Sequence, residues 1–114
     1  MDVDSVALLK AGLFKALAHP ARIQVLEALE AGESPVGELA ERLGMELSHL
    51  SQQLAVLRRA DLVNNRRVGS VVFYRLRDPR ITQLLFVARE LLLSSLQDSQ
   101  DLLQRLDVVP PTAV

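Results

Sequence analysis

The sequence predicts a mainly α fold of the α+β class: four helices, then a β-hairpin and a long C-terminal helix, in a single domain over residues 1–114. A length of 114 residues suits one domain rather than two. The composition, 49% hydrophobic against 24% charged residues, is typical of a chain that folds around a core. Apolar residues recur at helical spacing along most of the chain and alternate only near residues 62–76, which predicts one hairpin among helices.

Proline and glycine mark the limits of the first three helices. The first helix, over about residues 5–18, ends before Pro20, and Pro20 suits the first turn of the second helix because it lacks an amide hydrogen. The third helix is expected to begin with Ser34 as its cap and Pro35 in its first turn, and to end at Gly44. These signals predict three short helices rather than one long one.

The third and fourth helices predict a helix-turn-helix over about residues 35–60. A short connection at residues 44–46 separates the two helices, as in DNA-binding helix pairs. The fourth helix is expected to bury a stripe of leucines, Leu47, Leu50, Leu54 and Leu57. On its outward side we expect the candidate DNA-binding residues Ser48, His49, Ser51, Gln52, Gln53 and Arg59.

The types of these outward residues fit the edges of DNA bases. Glutamine can pair with adenine, serine can bond to either kind of edge, and arginine can bind guanine or a phosphate. None of the outward residues is acidic. An ordinary solvated helix face is the alternative interpretation, because polar residues are common on the outside of any helix.

A hairpin over about residues 62–76 follows the fourth helix. Arg66 and Arg67 precede its turn and Ser70 lies in the turn, so we expect these three residues to contact the phosphate backbone or the minor groove. A helix-turn-helix followed by such a hairpin, the wing, predicts a winged helix-turn-helix. The alternative is a surface hairpin that its charges keep soluble.

Positive charge is concentrated in the same part of the chain. The formal net charge is −1, but residues 48–80 contain seven arginines and only two aspartates. Binding to phosphates depends on local patches more than on the net charge. The distribution therefore favours double-stranded DNA as a partner.

The last helix, over about residues 79–106, carries more leucine than one copy of so small a chain is expected to cover. It would be on the order of 40 Å long at about 1.5 Å per residue. An exposed apolar stripe of this length favours a homodimer, with the first helix as the second dimerisation surface. The alternative is that the last helix folds back onto its own domain.

Other classes of protein have little support in the sequence. The absence of cysteine excludes disulfides and thiolate metal sites and fits a reducing compartment. Two histidines, without a glycine-rich phosphate loop, give no basis for a catalytic site, an enzyme or a cofactor. No signal peptide or membrane-spanning stretch is recognisable, so we expect a cytoplasmic protein without a membrane partner.

Several stretches of the chain resemble the ArsR/SmtB family of bacterial winged-helix repressors. They lie in unbroken order within about residues 9–80 and comprise residues 13–23, 38–44, 50–58, 60–63 and 74–76. The resemblance implies a winged helix-turn-helix fold, a homodimer and binding to operator DNA.

The resemblance does not extend to the metal ligands of that family. Residues 34–37 read Ser-Pro-Val-Gly where many members carry a Cys-x-Cys site, and residues 81–106 lack the histidine of the zinc sites that other members form between terminal helices. His19 is expected at a helix boundary and His49 on the DNA-reading face, so neither is expected to bind a metal.

The sequence therefore predicts a sequence-specific DNA-binding transcriptional regulator, a homodimeric repressor of an inverted-repeat operator that does not respond to metals through the known family sites. The alternative is a dimeric protein-interaction module whose helix-turn-helix no longer binds DNA, which the negative net charge favours. The sequence does not indicate which effector, if any, controls it.

Overall fold

The computed structural model describes residues 3–106; the predicted domain limits, residues 1 and 114, lie outside them. The helices are α1 (Val3–Leu17), α2 (Pro20–Ala28), α3 (Val36–Leu43), α4 (Leu47–Arg59) and α5 (Arg80–Leu106), with a single 3-10 turn (Leu29–Ala31) after α2. The strands are β1 (Ser34–Pro35), β2 (Val63–Val68) and β3 (Val71–Leu76). This order confirms the predicted fold class and adds one strand, β1, to the hairpin.

Strand β1 lies where the sequence predicts the start of the third helix. Ser34 pairs with Tyr74 and Pro35 with Phe73, so that β1 runs antiparallel to β3 at the edge of a sheet with the order β1-β3-β2. Proline is tolerated on an edge strand because its missing amide removes no ladder bond there. The prediction that Ser34 caps α3 was wrong, since α3 has no side-chain cap.

The hairpin of β2 and β3 forms the wing. Its register runs from Val63 opposite Leu76 to Val68 opposite Val71, which leaves a connection of two residues. Gly69 has a φ of +62° in that connection, a left-handed conformation that glycine adopts without a steric penalty. The observed wing therefore occupies nearly the residues that the alternation of apolar residues predicts.

Local hydrogen bonds fix the starts of α2 and α5. The His19 Nδ1 atom accepts a hydrogen bond from the amide of Ala21 at 3.1 Å, which caps α2. Asp78 Oδ1 accepts a hydrogen bond from the backbone amide of Arg80 at 2.8 Å. The hydrogen bond from the Arg80 side chain, and to a smaller extent that from its backbone amide, lowers the pKa of Asp78 to about 2. His19 is thus a helix-boundary residue, as the sequence predicts.

The core that positions α4 consists of aliphatic side chains from α2 to β2. Its fully buried members are Val25, Leu26, Leu29, Leu39, Leu50, Leu54, Leu57 and Val63. Leu47 was expected in the same stripe but is 54% exposed. It is the first residue of α4, and the buried stripe begins at Leu50, one turn further on.

The chain divides into two compact units between Thr82 and Gln83. The second unit is described over residues 83–106 and consists of the greater part of α5. None of the helices within residues 3–106 is long and apolar enough to cross a membrane.

Candidate nucleic-acid interface

The first two turns of α4 present polar side chains to solvent. Ser48, His49, Ser51 and Gln52 are all exposed. No acidic residue lies within α4, so the helix carries no charge that would repel a DNA phosphate. Four of the predicted DNA-binding residues are therefore accessible on one helix that a buried leucine stripe holds in place.

Gln53 does not belong to this exposed set. Its side chain is only 8% exposed, and its Oε1 atom accepts a hydrogen bond from Arg22 Nη1 at 3.2 Å. The position follows Leu50 by three residues and precedes Leu57 by four, which places it on the buried side of the helix. The structure thus places Gln53 in the packing between helices, apart from the exposed residues with which the sequence analysis groups it.

Arg22 connects the end of α1 to α4 through this contact. Its guanidinium also donates hydrogen bonds to the carbonyl oxygens of Ala16 and Lys15, in the last turn of α1. Because one planar guanidinium bonds to all three groups, the orientation of α4 depends on the end of α1 as well as on the leucine core.

The wing has two different faces because side chains alternate along its strands. On one face, Asn65 lies opposite Tyr74, and Arg67 lies opposite Val72. An open groove of about 390 Å³, which we call the wing groove, is lined by Arg58, Asn65, Arg66, Arg67, Val72 and Tyr74. The groove thus brings the last turn of α4 and the predicted wing residue Arg67 together.

The other face of the wing holds an ion-pair cluster that we call the wing brace: Glu33, Arg66, Phe73 and Arg75. Arg66 donates from Nη2 to Glu33 Oε1 at 2.7 Å and from Nε to Oε2 at 2.8 Å, so the pair is bidentate. The Arg66 guanidinium also lies 4.8 Å from the centroid of the Phe73 ring. Arg75 approaches Glu33 at 3.8 Å.

The electrostatics of the wing brace follow from the bidentate pair. The hydrogen bond from Arg66 lowers the pKa of Glu33, with partial opposition from desolvation. The same contact raises the pKa of Arg66. Arg66 was expected to be as available as its neighbour Arg67, whereas the structure pairs its charge with a carboxylate.

The arginines of residues 48–80 therefore fall into two groups. Arg66, Arg75, Arg77 and Arg80 form ion pairs with carboxylates. Within residues 3–106, Arg58, Arg59 and Arg67 have no such partner and no hydrogen bond from their side chains. Among the arginines of residues 48–80, those without a carboxylate partner thus lie at the end of α4 and on one face of the wing.

The remaining predicted residues lie at the two ends of this surface. Arg59 is exposed in the last turn of α4, where it lines a second hollow of about 340 Å³ together with Ala55 and Arg58. Ser70 is exposed at the tip of the wing.

The sequence did not indicate three polar residues of the wing groove: Arg58, Asn65 and Tyr74. The Asn65 amide lies 3.4 Å from the Tyr74 hydroxyl, and both belong to cross-strand partners of the hairpin. Strand alternation could have indicated that Asn65 shares a face with Arg67. No comparable local signal indicates Arg58, because its place in the groove depends on how α4 packs against β2.

The chain is similar to known regulators over nearly its whole length. A family model described as a helix-turn-helix domain matches residues 17–66, which include α2, α3 and α4. The uncharacterized HTH-type transcriptional regulator Rv0081 of Mycobacterium tuberculosis is 47% identical over 107 residues, which cover 93% of this chain and 94% of the relative.

Solved structures give the same result. The crystal structure of Rv0081 superposes with a TM-score of 0.76 at 49% identity, over 82% of this chain and 95% of that one. The solution structure of the homodimeric winged helix-turn-helix DNA-binding domain Mb0332 from Mycobacterium bovis, described as a possible ArsR-family regulator, gives a TM-score of 0.74 at 30% identity, over 86% and 93%. The transcriptional repressor BigR from Xylella fastidiosa gives 0.70 at 38% identity, over 79% and 92%.

Proposed function

The chain belongs to the ArsR/SmtB family of winged helix-turn-helix transcriptional regulators, and on that premise we propose that it is a homodimeric repressor of an inverted-repeat DNA operator. The observation that carries the proposal is that α4 and the wing expose two complementary sets of side chains, the polar residues in the N-terminal half of α4 and the unpaired arginines around the wing groove. A helix of this kind fits the major groove while cations alongside bind the backbone.

The proposed DNA contacts divide by chemistry. Ser48, His49, Ser51 and Gln52 read base edges, because they lie on the exposed first turns of the recognition helix. Backbone contacts come from the unpaired cations Arg59 and Arg67 and from the wing-tip hydroxyl of Ser70.

Exposed apolar side chains support the homodimer. On α1 they are Val6, Leu8, Leu9 and Phe14, and on α5 they include Phe86, Val87, Leu91, Leu92, Leu96, Leu102 and Leu103. Patches of this kind are rare on proteins that act as monomers. Mb0332, which is described as homodimeric, also supports a homodimer. A two-fold dimer with one reading head per protomer would recognise an operator of matching symmetry.

We also propose that the protein acts as a repressor and that it does not require a metal to do so. BigR, a relative of the same fold, is described as a repressor. This chain has no cysteine, and residues 34–37 offer no soft ligand where the family's Cys-x-Cys site would lie. Within residues 3–106, no three side chains of the types His, Asp and Glu gather in a group that could hold a metal ion.

The test is selection of bound duplexes from a random pool, followed by titration of the winning site with salt. We expect an inverted repeat to be enriched, to bind one dimer and to lose affinity as the salt concentration rises. Half of the site alone serves as the matched control and should bind far more weakly. Failure of every duplex to bind at low ionic strength would instead favour the protein-interaction module.

The absence of a metal response is tested on the same complex. Addition of zinc, nickel or arsenite is expected to leave the dimer on its operator. Stoichiometric release of the DNA by any of these ions would overturn the metal-independent part of the proposal and leave the DNA-binding part standing.

A further inference from the structure

We propose that the wing groove holds one phosphate of the DNA backbone between Arg58 and Arg67, and that Arg66 only positions the wing. This inference rests on the proposed DNA binding, and it assigns different roles to the neighbouring residues Arg66 and Arg67. It also adds Arg58, which no sequence argument placed at the interface.

Arg58 and Arg67 have the chemistry that a phosphodiester requires. Each carries an exposed guanidinium without a carboxylate partner among residues 3–106, and both line the same groove. A guanidinium presents N–H groups in a planar fork that matches phosphate oxygens. Two such forks that line one open groove could hold a single phosphate between them.

Two neutral polar groups that line the groove complete the site. The Asn65 amide and the Tyr74 hydroxyl lie 3.4 Å apart and belong to the same wall as Arg67. Both can donate hydrogen bonds to anionic oxygens while keeping contact with each other. The groove thus offers neutral donors beside the two cations and, among its lining residues, no carboxylate.

Arg66 also lines the wing groove, but its guanidinium is already bound to a carboxylate. Its hydrogen bonds to Glu33, of which the shortest are 2.7 and 2.8 Å, would have to break before its guanidinium could bind a phosphate. The charge of Glu33 also offsets much of the field that Arg66 would exert on DNA.

The bidentate pair has a clear structural effect instead. Glu33 directly precedes β1, and β1 leads directly into α3. The contact between Arg66 and Glu33 therefore ties β2 of the wing to the start of the helix-turn-helix, and Phe73 supports the same guanidinium from below. Arg66 is a positioning residue in this arrangement.

The two neighbours provide a matched experiment, because Arg66→Gln and Arg67→Gln remove the same charge from consecutive residues of one strand. The measurement is the slope of log K against log salt for the full-length protein on a fluorescent operator duplex, between about 50 and about 200 mM potassium chloride. We expect Arg67→Gln and Arg58→Gln each to reduce the slope by about 0.9 for every protomer bound. Arg66→Gln is expected to keep the slope and to weaken binding by a similar factor at every salt concentration.

Conservative variants separate charge from geometry. Arg67→Lys should retain the slope, because a lysine still neutralises a phosphate. Arg66→Lys should not restore the wing, because an ammonium cannot form the bidentate pair. The amide resonances of β3 should shift in Arg66→Gln and in Glu33→Gln alike, and should stay in place in Arg67→Gln.

The outcomes distinguish this inference from the function on which it rests. Equal reductions of the slope in Arg66→Gln and Arg67→Gln would overturn the division of work, and an unchanged slope in Arg67→Gln would overturn the phosphate site. Either result leaves operator binding intact. A wild-type protein that binds no duplex would overturn the proposed function itself.

Discussion

The segment from α2 to β3 and the helix α5 differ in how their apolar side chains are covered. The first contains eight side chains that are less than 2% exposed, including Leu50, Leu54 and Leu57 of α4. In α5, Leu91, Leu92 and Leu96 are between 62% and 67% exposed. Helix α1 resembles α5 in this respect, because its Leu8 is 74% exposed.

One copy of the chain covers the apolar side chains of the segment from α2 to β3, whereas covering the exposed ones of α1 and α5 is expected to require a second copy. The proposed DNA-reading surface of α4 rests on leucines that are already buried within one chain, so we expect its geometry not to depend on assembly. The apolar side chains that α1 and α5 leave exposed, such as Leu8 and Leu96, would gain from burial against another copy. Reading of bases and assembly into a dimer are thus expected to respond differently to protein concentration.

The largest effect should come from a charge placed on the apolar face of α5. We expect Leu96→Asp to raise the dissociation constant of the dimer by on the order of 100-fold or more, because each protomer loses about 1.5–3 kcal/mol of leucine burial. Sedimentation equilibrium measures this directly, and operator affinity should fall with it. Ser94→Asp is the matched control, since it adds the same charge about 200° around the helix.

That comparison also shows how the dimer proposal could fail. A dimer that persists in Leu96→Asp, or one that dissociates equally in Ser94→Asp, would mean that this face of α5 is not the contact between protomers.

The second largest effect is expected in the core of the segment from α2 to β3, which we call the reading segment. Leu54 is completely buried, so Leu54→Ala should lower the free energy of unfolding by about 2–5 kcal/mol through lost burial and a residual cavity. Urea unfolding followed by circular dichroism measures the loss. Leu47→Ala in the same helix is the control, because Leu47 is 54% exposed and should cost about 0.5 kcal/mol or less. Similar losses at both positions would restore Leu47 to the core.

Local signals explain why so much of this fold could be predicted. Pro20 and Gly44 restrict the backbone at the helix ends that they mark. Alternation of apolar residues located the wing, because strand residues must face opposite sides of the sheet. These features depend on neighbours in sequence, and the structure has them in the predicted places.

The features that escaped prediction depend on residues far apart in the chain. Ser34 and Pro35 look like a helix start, and only pairing with β3 makes them a strand. Arg66 meets Glu33 across 33 residues of sequence, so no local pattern shows that its charge is paired. Gln53 lies on the buried side of α4, and the hydrogen bond to its side chain comes from Arg22 on another helix, 31 residues away. Which polar residues are free to bind DNA is therefore a tertiary property.

Substitutions of the two consecutive glutamines of α4 should separate an effect on stability from an effect on base recognition. Gln53→Ala removes the acceptor of Arg22 and is expected to cost about 1–2 kcal/mol of unfolding free energy. Gln52→Ala should leave stability within about 0.5 kcal/mol and reduce discrimination at one base pair by about 1–3 kcal/mol. Urea unfolding and binding to singly substituted operators measure the two effects. Loss of discrimination in Gln53→Ala without loss of stability would contradict the packing role.

The smallest effect should lie at the N-terminus of α2, where the His19 side chain caps the helix. His19→Ala leaves the amide of Ala21 without its acceptor and is expected to cost about 1 kcal/mol of unfolding free energy. His19→Asn should preserve stability, because asparagine is among the preferred capping residues. Since the cap belongs to the segment that one copy completes, the cost should be the same at every protein concentration, unlike that of Leu96→Asp. A cost that varies with concentration would mean that the start of α2 is stabilised by assembly, and that the reading segment is not independent of the dimer after all.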